Sequence, residues 1–186
     1  LTELMTMLSM DMEKDGVSGL SEINDYIRPM RVKASEHRRM RPQHIIILAK
    51  TQAGIKNLYR LVSESHLNHL RRYPMMPKSV IEKYREGLII GSACESGELF
   101  SAVHNGLPFE KLCEIASFYD YLEVEPLCNN MFYVKNGWVE SENVLTEYNK
   151  KIIEIGEKLN IPVCAAGDVH FVEIRRTVFD EFDKFF

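Results

Sequence analysis

The chain has 186 residues, 45% hydrophobic and 27% charged, a mixture that suits a folded globular protein and excludes a disordered or fibrous one. Its formal net charge of -4 gives no global attraction for nucleic acid, so any such contact requires a local basic patch. No apolar run approaches the ~20 residues that span a bilayer, and the acidic, helix-patterned start LTELMTMLSMDMEKDG is not a basic-then-apolar export signal. The four cysteines (Cys94, Cys113, Cys128, Cys164) lie far apart, without the close pairs of a zinc ribbon, and read as thiols of a reducing cytoplasm. A start on Leu1 rather than Met leads to the expectation of a fragment.

Residues 1–27 carry apolar positions at helical spacing (Leu4, Met7, Leu8, then Leu20, Ile23, Ile27), interrupted by Gly16 and Gly19. The stretch Arg28–Arg41 is basic, polar and aperiodic, and reads either as a solvated connector or as a phosphate-contacting arm. Residues 44–49 (HIIILA) form a continuous apolar run, expected as a strand buried on both faces. A helix is predicted over 55–70, with Leu58, Leu61, Val62, Ser65 and Leu67 near one face, followed by a short helix from Ser79 through Tyr84. LIIGSA (88–93) reads as a second strand, 96–104 and 108–118 as helices, and Tyr121–Val124 as a third strand. Residues 129–140 suggest a hairpin-like excursion turning at Asn136-Gly137. A well-marked helix over 141–159 leads to a fourth strand at 161–166. Four strands separated by helices predict an α/β fold with a mainly parallel sheet. No Gly-rich phosphate loop follows the first strand, which disfavours a nucleotide-binding doubly wound fold.

The strand ends hold the chemistry. IPVCAAGDVHF places Asp168 and His170 two residues apart, hence on one face of an extended backbone, just beyond a buried strand. Cys94 follows the second strand and Glu123 ends the third, while His44 opens the first, at the opposite end if all strands run parallel. Imidazole, thiolate and carboxylate together are the ligand set of zinc and, with more oxygen, of manganese or iron. The alternative for Asp168 is a helix cap beside a partly exposed histidine. Cys164, inside the apolar run, reads as a core thiol. His66 and His69 have metal-capable i, i+3 spacing but sit among Asn68, Arg71 and Arg72, which favours a solvated face. For Glu95 and Glu98, capping of the next helix is preferred to ligation. His37 and His104 lie in polar surroundings and need no role, and Arg71–Pro77 reads either as helix-terminal charge or as a phosphate contact.

The segments HIIILAKTQAGIKNLYRLVSESHL, MPKSVIEKYREGLIIGSACESGELFSAV, IASFYDYLEVEPLCNN and EKLNIPVCAAGDVHF, in this order, resemble the PHP (polymerase and histidinol phosphatase) domain of bacterial PolC-type DNA polymerase III α subunits. The resemblance implies a partial distorted β/α, TIM-like PHP barrel over 42–171. It implies a helical N-terminal extension over 1–41 that resembles the exit from an inserted exonuclease, and leaves 172–186 as an unassigned helical tail. Carried over position by position, the metal ligands are His44, Cys94, Asp168 and His170, for zinc or manganese. The early HxH motif and its partners, expected before the exonuclease, are not in this sequence. The family tends to have Gln where this chain has Glu125. For the whole polymerase the resemblance implies DNA-directed DNA synthesis from dNTPs with magnesium in the palm, a 3′–5′ exonuclease and replisome partners in the cytoplasm, with no membrane association. The PHP part is then structural and metal-binding, without catalytic residues of its own in this chain. A stand-alone metal-dependent phosphoesterase and a vestigial structural module are the alternatives.

Overall fold

The computed structural model describes residues 42–70 and 72–167. The helices expected over 1–27, the basic stretch Arg28–Arg41, the Asp168–His170 pair and the tail 172–186 lie outside the described residues. Within them the protein is mixed α/β. Strand β1 (Ile46–Ala49) is followed by α1 (Gln52–Leu67), α2 (Lys78–Lys83) and β2 (Leu88–Gly91). Then come α3 (Glu98–His104), α4 (Phe109–Ala116), β3 (Leu122–Val124), α5 (Leu127–Lys135), α6 (Glu142–Leu159) and β4 (Val163–Ala165).

The strands do not form the mainly parallel sheet expected. β1 and β2 pair antiparallel, with Ile46 opposite Gly91 and Ala49 opposite Leu88. β3 and β4 pair parallel, Leu122 opposite Val163, as the long α5–α6 crossover between them requires. A single parallel bridge, Gly91 to Tyr121, links the two pairs, and no closed barrel forms among the described residues. The antiparallel first pair escapes sequence reading because an uninterrupted apolar run specifies neither face nor direction. β1 is also not buried on both faces: Leu48 is 48% exposed, and β2 is its only partner strand among the described residues.

The helices begin where the chain offers a cap or a proline. Thr51 is extended and its Oγ1 accepts the Gly54 N–H at 3.1 Å, so α1 starts three residues earlier than predicted. Pro77, Pro108 and Pro126 precede α2, α4 and α5, each in extended conformation. The last of these overturns the expected excursion over 129–140, because Asn136-Gly137 ends a helix rather than turning a hairpin. Gly137 has φ +69°, Trp138 N–H donates to the Tyr133 carbonyl at 2.8 Å and Gly137 N–H to that of Val134 at 3.0 Å. This is a Schellman terminus. Asn105-Gly106 closes α3 with the same pair of bonds, to Ala102 and Val103. A left-handed Gly serves both a hairpin turn and a helix end, so the dipeptide alone does not distinguish them.

The core is built from Leu61, Ile81, Ile90, Leu99 and Leu122, with Leu145, Ile152 and Ile155 of α6, all at most 2% exposed. On α1 the buried line is Gly54, Asn57, Leu61 and Ser65, so Val62 and Leu67, expected on that face, are exposed. The face is selected by one hydrogen bond and one close approach: Asn57 Nδ2 donates to the Glu86 carbonyl at 2.9 Å, and Gly54 lies directly against the Gly87 backbone. A Cβ on Gly54 would fall 1.9 Å from the Gly87 oxygen. Gly54→Ala should therefore destabilise the protein by about 1–3 kcal/mol, the usual range for overpacking. The helix-propensity gain of about 1 kcal/mol does not offset a clash with backbone. A lowered urea midpoint at unchanged m-value is the expected result.

Candidate metal centre

The reversal of β1 brings His44 to the edge at which β2 and β3 end. Because Ile46 stands opposite Gly91, the chain just before β1 runs beside the chain just after β2. His44 N–H donates to the Ser96 carbonyl at 3.0 Å, and its Nδ1 lies 3.3 Å from Cys94 Sγ. The difficulty of a histidine at the wrong strand end is thus removed by strand direction.

Cys94 is aimed by a tightly wound loop. Ala93 adopts φ +60°, a left-handed conformation costing a non-glycine residue roughly 1–2 kcal/mol. Gly97 N–H donates to the Cys94 carbonyl at 2.8 Å, and a Cβ on Gly97 would sit 2.2 Å from the Ser92 oxygen. Ser92 is buried, and its Oγ accepts the Glu123 N–H at 2.9 Å, tying the loop to β3.

One residue beyond β3, Glu125 is 4% exposed. Its Oε2 accepts from Asn130 Nδ2 at 3.2 Å and its carbonyl from Asn149 Nδ2 at 2.9 Å, so buried amides from α5 and α6 hold it on both sides. Cys94 Sγ and one carboxylate oxygen each of Glu95 and Glu125 lie within 4.8 Å of one another. At β4, Ala166 N–H donates to the Val124 carbonyl and the Gly167 carbonyl accepts from Asn129 Nδ2 at 2.8 Å. The chain therefore reaches the same edge at Gly167.

Burial pushes the Cys94 thiol up from 9.0 to about 12; the backbone N–H of Ser96 opposes the rise, and the negative charges of Glu95 and Glu125 add to it. Without a cation the thiol stays protonated at neutral pH. A divalent ion fits this donor chemistry: its charge offsets the two carboxylates and favours the thiolate.

Of the residues singled out by sequence, His44 and Cys94 are brought together, while Asp168 and His170 lie outside the described residues. Glu123 is engaged by the Tyr121 hydroxyl and is not in the cluster. Glu98 pairs with Lys78 and accepts from the Tyr119 hydroxyl. His66 is exposed and bonded through Nδ1 to the Val62 carbonyl on its own helix. Cys164, expected in the core, is exposed: its strand is three residues long and, of these, only Val163 packs against the core. Glu125 was noted only as a departure from a family residue and Glu95 only as a cap. The alternation in LEVEP, which sets a second acidic residue just beyond the strand end, was the signal available for Glu125.

Residues 8–154 match the PHP domain family, and the chain belongs to that family. Its relatives include the PolC-type DNA polymerase III of Clostridium perfringens (strain 13 / Type A), 54% identical over 136 residues, which cover 73% of this chain and 9% of that protein. The PolC-type DNA polymerase III of Caldanaerobacter subterraneus subsp. tengcongensis is 43% identical over 163 residues, covering 88% of this chain and 11% of the relative. That of Bacillus subtilis (strain 168) is 41% identical over 171 residues, 92% of this chain and 12% of the relative. The chain thus spans 9–12% of the length of these curated relatives. No helix among the described residues is long and apolar enough to cross a membrane.

In the metal-free protein the unfolded thiol ionises near 9.0 and the folded one near 12, so between these values the native state binds more protons than the unfolded state. The contribution of Cys94 to stability is therefore complete below pH 9 and is lost as pH rises toward 12. Cys94→Ser should flatten the alkaline decline in thermal midpoint, measured with a chelator present. At pH 8 Cys94 should also alkylate more slowly than the exposed Cys164, which peptide mass spectrometry resolves.

Proposed function

We propose that the chain is the later part of the PHP domain of a PolC-type DNA polymerase III α subunit, where it supports the polymerase architecture and holds a divalent metal. The observation that carries this reading is the 54% identity to a PolC-type polymerase over 73% of the chain. Similar matches in other bacteria cover up to 92% of it. DNA-directed DNA synthesis, the dNTP substrates, the palm magnesium, the associated 3′–5′ exonuclease and the replisome partners then belong to the whole polymerase, in the cytoplasm. The two strand pairs are part of a distorted β/α barrel whose remaining strands lie elsewhere in that polymerase. We assign 42–171 to the PHP barrel and 172–186 to an appended tail. Residues 1–41 we assign to a helical and basic connector resembling the exit from the inserted exonuclease.

In this reading His44 and Cys94, with Asp168 and His170 beyond the end of β4, hold zinc or manganese. The proximity of His44 and Cys94 supports it. When bound, such an ion supplies an activated water and a clamp for phosphate oxygens. The residues of this chain position the donors. The chain alone is expected to hydrolyse no phosphoester.

Elemental analysis of the purified chain should find about one equivalent of zinc or manganese, lost in the Asp168→Ala/His170→Ala double variant. Equal metal content in the two proteins would sink the ligand assignment. Hydrolysis of a generic aryl phosphate that disappears in the double variant would overturn the expectation of inactivity. Genomic sequence around the coding region tests the parentage: an HxH motif and an exonuclease upstream with a palm downstream are expected.

A further inference from the structure

We propose that Glu95 and Glu125 are themselves metal ligands, adding two carboxylates to the imidazole and thiolate of His44 and Cys94. The inference rests on the metal-binding reading above and deepens it.

Three observations carry it. The first is distance: two donors on one zinc ion, each bonded at 2.0–2.3 Å, stand no more than about 4.5 Å apart. Cys94 Sγ and the nearest carboxylate oxygens of Glu95 and Glu125 already lie within 4.8 Å of one another, and His44 Nδ1 is 3.3 Å from the sulfur. His44 stands outside that mutual group and adjoins it through the sulfur of Cys94, so its ring turns toward the carboxylates if all four share one ion.

The second is how the carboxylates are held. Glu125 is 4% exposed and fixed by the amides of Asn130 and Asn149, so its position does not depend on a mobile surface side chain. Ser96 Oγ donates to Glu95 Oε1 at 2.9 Å. No lysine or arginine among the described residues forms an ion pair with Glu95. Metal-binding carboxylates are typically oriented by such neutral hydrogen-bond donors.

The third is chemistry. Two carboxylates gathered around a half-buried thiol repel each other, and a divalent cation among them converts that repulsion to attraction. A donor set that mixes imidazole nitrogen, thiolate sulfur and carboxylate oxygen suits zinc or cobalt(II), whereas magnesium and calcium prefer oxygen alone.

The test uses the purified chain, zinc competition against a chromogenic chelator, and cobalt(II) substitution followed in the visible spectrum. Glu125→Gln keeps the size of the side chain and an acceptor for Asn130, and Glu95→Gln is a second, more exposed variant. Each should weaken zinc binding by about tenfold or more. The cobalt ligand-field bands should shift while the thiolate-to-cobalt charge-transfer band persists. Metal-free thermal midpoints close to wild type show that the fold is intact. Wild-type zinc affinity and cobalt spectra in both variants overturn the proposal and leave the Cys94 site standing. Absence of zinc binding by the wild-type chain removes the metal reading itself, and the carboxylate ligands with it.

Discussion

The antiparallel pairing of β1 with β2 is the constraint on which the rest of the site depends. Had β1 run parallel, His44 would lie at the far end of the sheet from Cys94. Reversed, it lies beside the loop that leaves β2, and one backbone bond to Ser96 with one side-chain contact to Cys94 places it. The parallel β3–β4 pair then directs its own carboxyl end to the same edge through the single bridge between Gly91 and Tyr121. That bridge is tight: a Cβ on Gly91 would meet the Tyr121 ring at 2.4 Å. Asp120 reinforces the junction by accepting from Ile90 N–H at 2.7 Å while it pairs with Arg85.

Around the site, packing and polar contacts divide the work. Apolar burial fixes the helices: α6 lays Leu145, Ile152 and Ile155 against the core, and Gly156 comes so close to β4 that a Cβ would strike Val163. Polar side chains fix the fine positions. Ser92, Asn130 and Asn149 are buried and each bonds to backbone or side chain of Glu123 or Glu125. Buried polar groups of this kind stabilise only when paired, and the pairings here converge on the residues just before and after the end of β3. The left-handed Ala93 belongs to the same pattern, since backbone strain is retained where surrounding contacts over-determine it.

Electrostatics gives the site its sense. The thiol of Cys94 is disfavoured as an anion by burial and by the two carboxylates near it, so the groups that would bind a metal are poorly suited to remain together as anions without one. Such a centre suits a role in which metal and protein stabilise each other, as expected where metal binding is coupled to folding.

Much of the helical framework was legible in the sequence because its signal, an apolar period near 3.6 residues, is local, as in the helix predicted over 141–159 and found over Glu142–Leu159. Asn136-Gly137 was misread because a left-handed glycine serves two kinds of turn, and nothing within the window separates them. The motif segments were enough to point to the family and, by resemblance, to His44 and Cys94 among four candidate ligands. What only the tertiary structure decided was strand direction, which face of α1 is buried, the exposure of Cys164, and the gathering of Glu95 and Glu125 beside Cys94. These depend on contacts between residues dozens of positions apart, such as Gly54 on Gly87 and Asn149 on Glu125, and a periodicity of two or 3.6 residues carries no information about such partners.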